Sequence, residues 1–205
     1  NTSLPSGIFT STIAGSSGRG GDIEIQSDSF RITDGAVVDA RTDNFRRGGN
    51  VMISTEQFEA LNGGQIIATA LRRGRAGSIT LNADRITLSG SDPTFPDRLD
   101  QFPNAIANEG NGESGLFAST RAGSTGRGGD ITLNAADVVL NDGASITARS
   151  QGQGSAGNIA VNTRNQTQLT NSNITTESVS SSGGNITINT ADQASTSLLI
   201  LRGDS

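Results

Sequence analysis

The chain has no cysteine, histidine, tryptophan or tyrosine, a single methionine, and fifteen cationic residues that are all arginine. Each absence removes a class of chemistry. Without cysteine there is no disulfide framework, no thiolate nucleophile and no thiolate zinc site. Without histidine the commonest general base and the commonest metal ligand are both missing. Without lysine, Schiff-base chemistry, a Ser–Lys dyad and a phosphate-binding P-loop are excluded. No apolar run reaches the roughly 18 residues that a membrane helix needs. Residues 1–6 carry neither a basic nor an apolar leader segment, and no initiator methionine is present, so the chain reads as a mature product or an excised piece of a longer one. A net charge of −5 and a pI near 4.7 argue against affinity for nucleic acid. Ile, Leu, Val and Phe supply only 45 of 205 residues, so composition alone does not promise a fold and the pattern along the chain must decide.

That pattern is a repeat. A Gly followed by a small polar and then an apolar residue recurs at Gly21, Gly49, Gly77, Gly129, Gly157 and Gly184, at spacings of 28, 28, 52, 28 and 27. The long interval is one period plus an insertion of 24 residues, roughly residues 91–113. Two and four positions after the anchors stand Ile23/Ile25, Val51/Ile53, Ile79/Leu81, Ile131/Leu133, Ile159/Val161 and Ile186/Ile188, separated by mostly polar residues. Period-two alternation of this kind predicts a strand with one buried face. A polar column follows at Gln26, Ser54, Asn82, Asn134, Asn162 and Asn189. A second short strand carries Phe30/Ile32, Phe58/Ala60, Ile86/Leu88 and Val138/Leu140, slipping by one to Thr167/Leu169 in the fifth repeat. The dipeptides Asp34-Gly35, Asn62-Gly63 and Asp142-Gly143 predict turns with positive φ, and Asn171 is read in the Gly place of the fifth. A third strand then carries Val38, Ile66, Ile146 and Ile174.

Three short strands per turn at constant length predict an all-β fold: a right-handed parallel β-helix, or β-solenoid, with about 28 residues per coil. A β-sandwich also has many short strands, but it does not require a fixed register with column-specific identities. Residues 1–205 are expected to form a single segment of six to seven coils, with the insertion leaving as a surface loop. The asparagine column is expected to form an amide ladder. Residues 7–25 nearly match residues 115–133, an echo over 108 residues that suggests duplication of a multi-coil block. The apolar run Leu198–Leu201 predicts fraying or end-to-end association.

The strings GRGGDITLNA, SGLFAST and ADRITLSG resemble the repeat region of filamentous-haemagglutinin-type exoproteins, including large cyanobacterial ones. The resemblance covers most of the chain outside residues 91–113. It implies a secreted, surface-displayed adhesive rod exported by the two-partner route, an extracellular location, and further coils of the same parent chain as neighbours.

The candidate sites follow from the repeat. Two residues before the anchors stand Arg19, Arg47, Arg75 and Arg127, with Ser155 and Ser182 in the last two places. Stacked, these guanidinium groups would line one edge and suit an anionic polysaccharide or matrix component through bidentate contacts. The plainer expectation is that they reach into solvent and pair with Asp22 or Asp130. The insertion holds three of the four prolines, with Phe95 and Phe102 either pinning the loop to the coil or presenting a partner surface. Carboxylate catalysis, as in β-helical polysaccharide lyases and hydrolases, needs acids converging on one face. No column stacks them in neighbouring coils, since Asn50 and Ser78 separate Asp22 from Asp130. No catalytic residue, cofactor or metal is assigned. The GGxGxD calcium repeat is absent, the middle column of the first strand is too irregular for ice binding, and Arg202-Gly203-Asp204 and the N-x-T triplets at Asn165, Asn173 and Asn185 are read as chance. The expected function is an adhesive rod module, not an enzyme; the alternative is a carbohydrate-active β-helix.

Overall fold

The computed structural model describes residues 6–101, 109–190 and 198–203. It is a β-solenoid built on parallel sheets. The first strands of successive coils are β2 (Ile23–Gln26), β5 (Val51–Ser54), β8 (Ile79–Asn82), the start of β11 (Ile131–Asn141), the start of β13 (Ile159–Thr170) and β15 (Ile186–Thr190). They pair in that order, parallel and in register. The second strands are β3 (Ser29–Thr33), β6 (Gln57–Leu61), β9 (Arg85–Ser89), the ends of β11 and β13, and β16 (Leu198–Arg202). The third strands form a separate six-stranded sheet: β1 (Gly7–Phe9), β4 (Val37–Asp39), β7 (Gln65–Ile67), β10 (Gly115–Phe117), β12 (Ser145–Thr147) and β14 (Asn173–Thr175). The helix α1 (Phe95–Gln101) lies in the insertion. No helix among the described residues is long and apolar enough to cross a membrane.

Each predicted column is a physical file. Ile131 pairs with Ile79 on one side and Ile159 on the other, and all three are fully buried. Strands β8 and β11 are therefore adjacent rungs despite the 24 extra residues between them, whose stem is closed by an antiparallel bridge from Ser91 to Glu113. The third file gains Leu116 between Ile66 and Ile146, supplied by the chain as it returns from the insertion. The echo acquires a cause as well: β1 and β10 occupy the same place in the sheet, three rungs apart. Asn134 Nδ2 donates to Asn82 Oδ1 (2.8 Å), Asn162 to Asn134 (2.9 Å) and Asn189 to Asn162 (2.9 Å), which is the expected amide ladder.

The anchor glycines are required by space. A Cβ built at Gly49, Gly77, Gly129, Gly157 or Gly184 would overlap the carbonyl oxygen of the anchor on the preceding rung. The coils meet backbone on backbone at this corner, and no side chain fits between them.

The turns match the expectation at Asp34, Asn62 and Asp142, whose φ values are 55, 50 and 53°, each followed by a glycine at positive φ. Asn171 corrects it. The amide of Gly143 donates to the carbonyl of Asn171, just as that of Gly35 donates to Asn62, so Asn171 stacks on Asp142 and not on the glycine. An extra residue in β13, at the irregularity opposite Ala135/Asp137, shifts the chain by one, and the turn is one residue shorter to compensate. A φ of 49° at Asn171 fits the Asx place.

A fourth ladder was not foreseen. Thr12, Thr42, Ala70, Thr120, Ser150 and Ser178 form a run of parallel bridges at the corner after the third strand. Hydroxyls on adjacent rungs pair at Thr12–Thr42 (2.8 Å) and Thr120–Ser150 (3.0 Å), while that of Ser178 donates to the Gly154 carbonyl (3.2 Å). The last rung leaves Ile186, Leu198, Leu199 and Leu201 exposed.

Candidate functional site

The four arginines of the predicted column share one edge. The amide of Gly20 donates to the carbonyl of Arg47, Gly48 to Arg75, Ala76 to Arg127 and Gly128 to Ser155, so the loop before each anchor keeps register from rung to rung. Successive guanidinium stems therefore start about 5 Å apart. Beside them a ladder of polar side chains caps the strand entrances: Asp22 Oδ1 accepts from the Asn50 amide (2.7 Å), and Asp130 Oδ1 from the Asn158 amide (2.8 Å). Asp130 also takes Arg127 (3.2 Å) and, at 4.0 Å, Arg75. Arg47 donates instead to Asn50 Oδ1 (2.9 Å). Asp22 is paired to Asn50, so the expected Arg–Asp22 pair does not form, whereas the Asp130 pair does. Among the described residues no carboxylate reaches Arg19 or Arg47, and both are exposed.

The basic edge is wider than the column. Arg46 and Arg73 protrude from the same loops without a carboxylate partner among the described residues, while Arg72 is held by Asp43 (2.6 Å). Phe45 lies among them, 67% exposed. The sequence signal was the Arg46-Arg47 and Arg72-Arg73-x-Arg75 clustering, which counting a single column conceals.

The insertion packs down. Phe95 is buried and abuts Gly112, so it is a clamp within the loop and not an exposed contact residue. Phe102 lies outside the described residues. Asp92 and Arg98 form a buried ion pair over the turns at Gly35 and Gly63. Asp92 also accepts from the amide (2.9 Å) and the hydroxyl (2.7 Å) of Thr94. Burial works to raise the Asp92 carboxyl, but these hydrogen bonds and the guanidinium outweigh it and hold it below its ordinary value.

The return limb of the insertion crosses the outer face of the third sheet. Gln65, fully buried and pointing outward from β7, donates to the carbonyls of Glu109 (3.0 Å) and Glu113 (2.7 Å) and accepts from the Glu109 amide (2.8 Å). Glu109 pairs with Arg121 (3.3 Å). Close by, Asp39 is fully buried against Arg41 (2.8 Å). Burial pushes both carboxyls above their ordinary values, more strongly than the arginines pull them down. Val37, Ile67 and Phe117 form a small second core on this face, so β4, β7 and β10 are buried on both sides.

Beyond Phe117 the covered face opens into a recess of about 190 Å³. Glu109, Glu113 and Glu177 line it, together with Arg121 and Arg149. The three carboxylates surround the recess without sharing a point: among the described residues no three acidic side chains stand close enough to hold a cation. No repeating column marks this place directly, because Glu109 belongs to the insertion. Its far wall is nonetheless a column, Thr69, Ser119, Arg149 and Glu177, each one residue before the fourth ladder.

No family of known proteins matches the chain, and no curated protein or solved structure matches it either.

Proposed function

We propose that the chain is an adhesive rod module of a secreted or surface-displayed exoprotein, whose arginine-rich edge contacts anionic glycans. The observation that carries this reading is the registered edge of Arg19, Arg47, Arg75 and Arg127, two of which have no carboxylate partner among the described residues. Stacked cations about 5 Å apart repel one another, and a polyanion laid along them relieves that repulsion with charge-assisted hydrogen bonds. The resemblance to filamentous-haemagglutinin-type repeats points the same way. Binding of the purified chain to a panel of sulfated, carboxylated and neutral polysaccharides tests it. The double variant Arg47→Ala, Arg75→Ala is expected to weaken binding to the anionic members and to flatten its salt dependence. Unchanged binding to every anionic polysaccharide removes the edge from the account.

A second reading, a carbohydrate-active β-helix, is favoured by the recess, which gathers three glutamates on one face where the sequence columns showed none. Incubating the chain with uronate polysaccharides and assaying for chain shortening distinguishes the two. Shortening that disappears in Glu109→Gln supports the enzyme; intact polymer supports the rod.

A further inference from the structure

Five buried side-chain polar atoms lack a partner among the described residues, and three of them belong to residues that line the same recess: Thr69 Oγ1, Ser119 Oγ and Arg149 Nε. A buried polar group without a partner costs about 1–3 kcal/mol, and native chains seldom carry three together without a use for them. Thr69 is fully buried and Ser119 nearly so. Neither hydroxyl belongs to the fourth ladder, whose members at Thr120 and Ser150 satisfy each other (3.0 Å). The recess equals the liquid volume of about six water molecules, enough for one sugar ring.

Its chemistry narrows the occupant. Most of the lining is hydroxyl, amide or charge, with Phe117 as an apolar wall. A hydrophobic ligand would strand these groups. A phosphate would face Glu109, Glu113 and Glu177 with Arg149 as the one lining arginine not held by a carboxylate among the described residues, since Arg121 is committed to Glu109. A neutral sugar would leave Arg149 without an anion. A sugar acid answers both demands: its carboxylate accepts from Arg149, and its hydroxyls donate to the glutamates and bond with Thr69 and Ser119.

We propose that the recess between the insertion and the third sheet is a binding site for one acidic sugar unit, a hexuronate, seated by Arg149, Thr69 and Ser119. The site is separate from the arginine edge and does not depend on it. It holds whether the chain only binds polysaccharide or also acts on it.

Calorimetric titration of the purified chain with glucuronate, galacturonate and their disaccharides tests the assignment, with the matching neutral sugars and inorganic phosphate as comparators. Saturable binding of a uronate is expected, weakened about tenfold or more in Arg149→Gln. Ser119→Ala should weaken binding while leaving the melting temperature unchanged or higher, because the hydroxyl it removes has no partner among the described residues. Asn134→Ala, in the amide ladder and outside both proposed contact surfaces, should bind the monosaccharide as the parent does, which shows that the loss in Arg149→Gln is local to the recess. The proposal is overturned if no uronate binds, if neutral sugars or phosphate bind equally well, if Arg149→Gln binds as the parent does, or if Ser119→Ala lowers the melting temperature without affecting affinity.

Discussion

The two flanks of the rod differ in what shapes them. Along the first and second strands each outward position lies in register with its neighbour on the next rung, and the asparagine ladder there is held only by coil-to-coil hydrogen bonds. Along the third-strand sheet the outer face is covered: Val37, Ile67 and Phe117 are buried, and the insertion is tied down by Gln65, Glu109 and Arg121. The open flank is built by repetition, and among the described residues Ser27 carries its one unpartnered buried hydroxyl. The covered flank departs from repetition, and buried charge and unpartnered hydroxyls collect there. A solenoid therefore keeps its architecture in what recurs and its chemistry in what interrupts the recurrence.

The sharpest way to break the repeating part is to fill its closest contact. Gly77→Val would drive a side chain into the Gly49 carbonyl, where only backbone can move. A loss of about 4 kcal/mol or more is expected in chemical denaturation, with the central rungs affected first. An effect below 1 kcal/mol would mean that the coils are not in backbone contact at this corner. On the covered flank, Asp92→Asn leaves Arg98 buried without its anion. About 3 kcal/mol is expected. Limited proteolysis should then cut within residues 91–113 while the solenoid core survives.

Some features of the fold were readable and others were not, for physical reasons. The file Ile79–Ile131–Ile159 was legible because stacking demands the same residue type at the same step, whatever is inserted between. The Asx turns were legible because few residues tolerate their φ. Asn171 was misplaced because a single extra residue in β13 is cancelled one turn later, leaving the period unchanged. The recess was invisible because Thr69, Glu109 and Arg149 come from three separate parts of the chain and meet only through the return of the insertion. Of the candidate residues, the arginine column could be read from its spacing, but its division into carboxylate-paired and carboxylate-free members could not. That division depends on Asp22 being taken by Asn50.

Acid sharpens the comparison within the covered flank itself. The Asp92 carboxyl is held below its ordinary 3.8, so its contribution is present above that value and is lost as pH falls through the folded value. Asp39 and Glu109 are raised from 3.8 and 4.5, so the folded state favours their neutral forms. Their contribution is complete below those values and is lost as pH rises through the folded ones. The two ends of the insertion should respond oppositely. From near-neutral pH down to about 4.5, amide exchange at Glu109 should slow, after correction for intrinsic rates. The Thr94 amide should stay protected until below about pH 4. Parallel behaviour at both ends would contradict this assignment of charge.

The smallest expected effect lies on the open flank. Asn134→Ala removes two rungs of the amide ladder at an exposed position, and a loss of about 1 kcal/mol is expected with no change in glycan binding. A larger loss would mean that the ladder, and not the apolar files, sets the stability of the rod.

The absence of cysteine allows a direct measurement of the stacking on which the account rests. Thr80 and Thr132 are 52 residues apart in sequence but opposite one another on adjacent rungs, and Ala160 lies one rung further on. In the variant Thr80→Cys, Thr132→Cys, a thiol crosslinker reaching about 5 Å should join the two positions nearly quantitatively. In Thr80→Cys, Ala160→Cys, about twice that distance apart, the same reagent should fail. Crosslinking of the second pair, or of neither, would show that the rungs do not lie in this order.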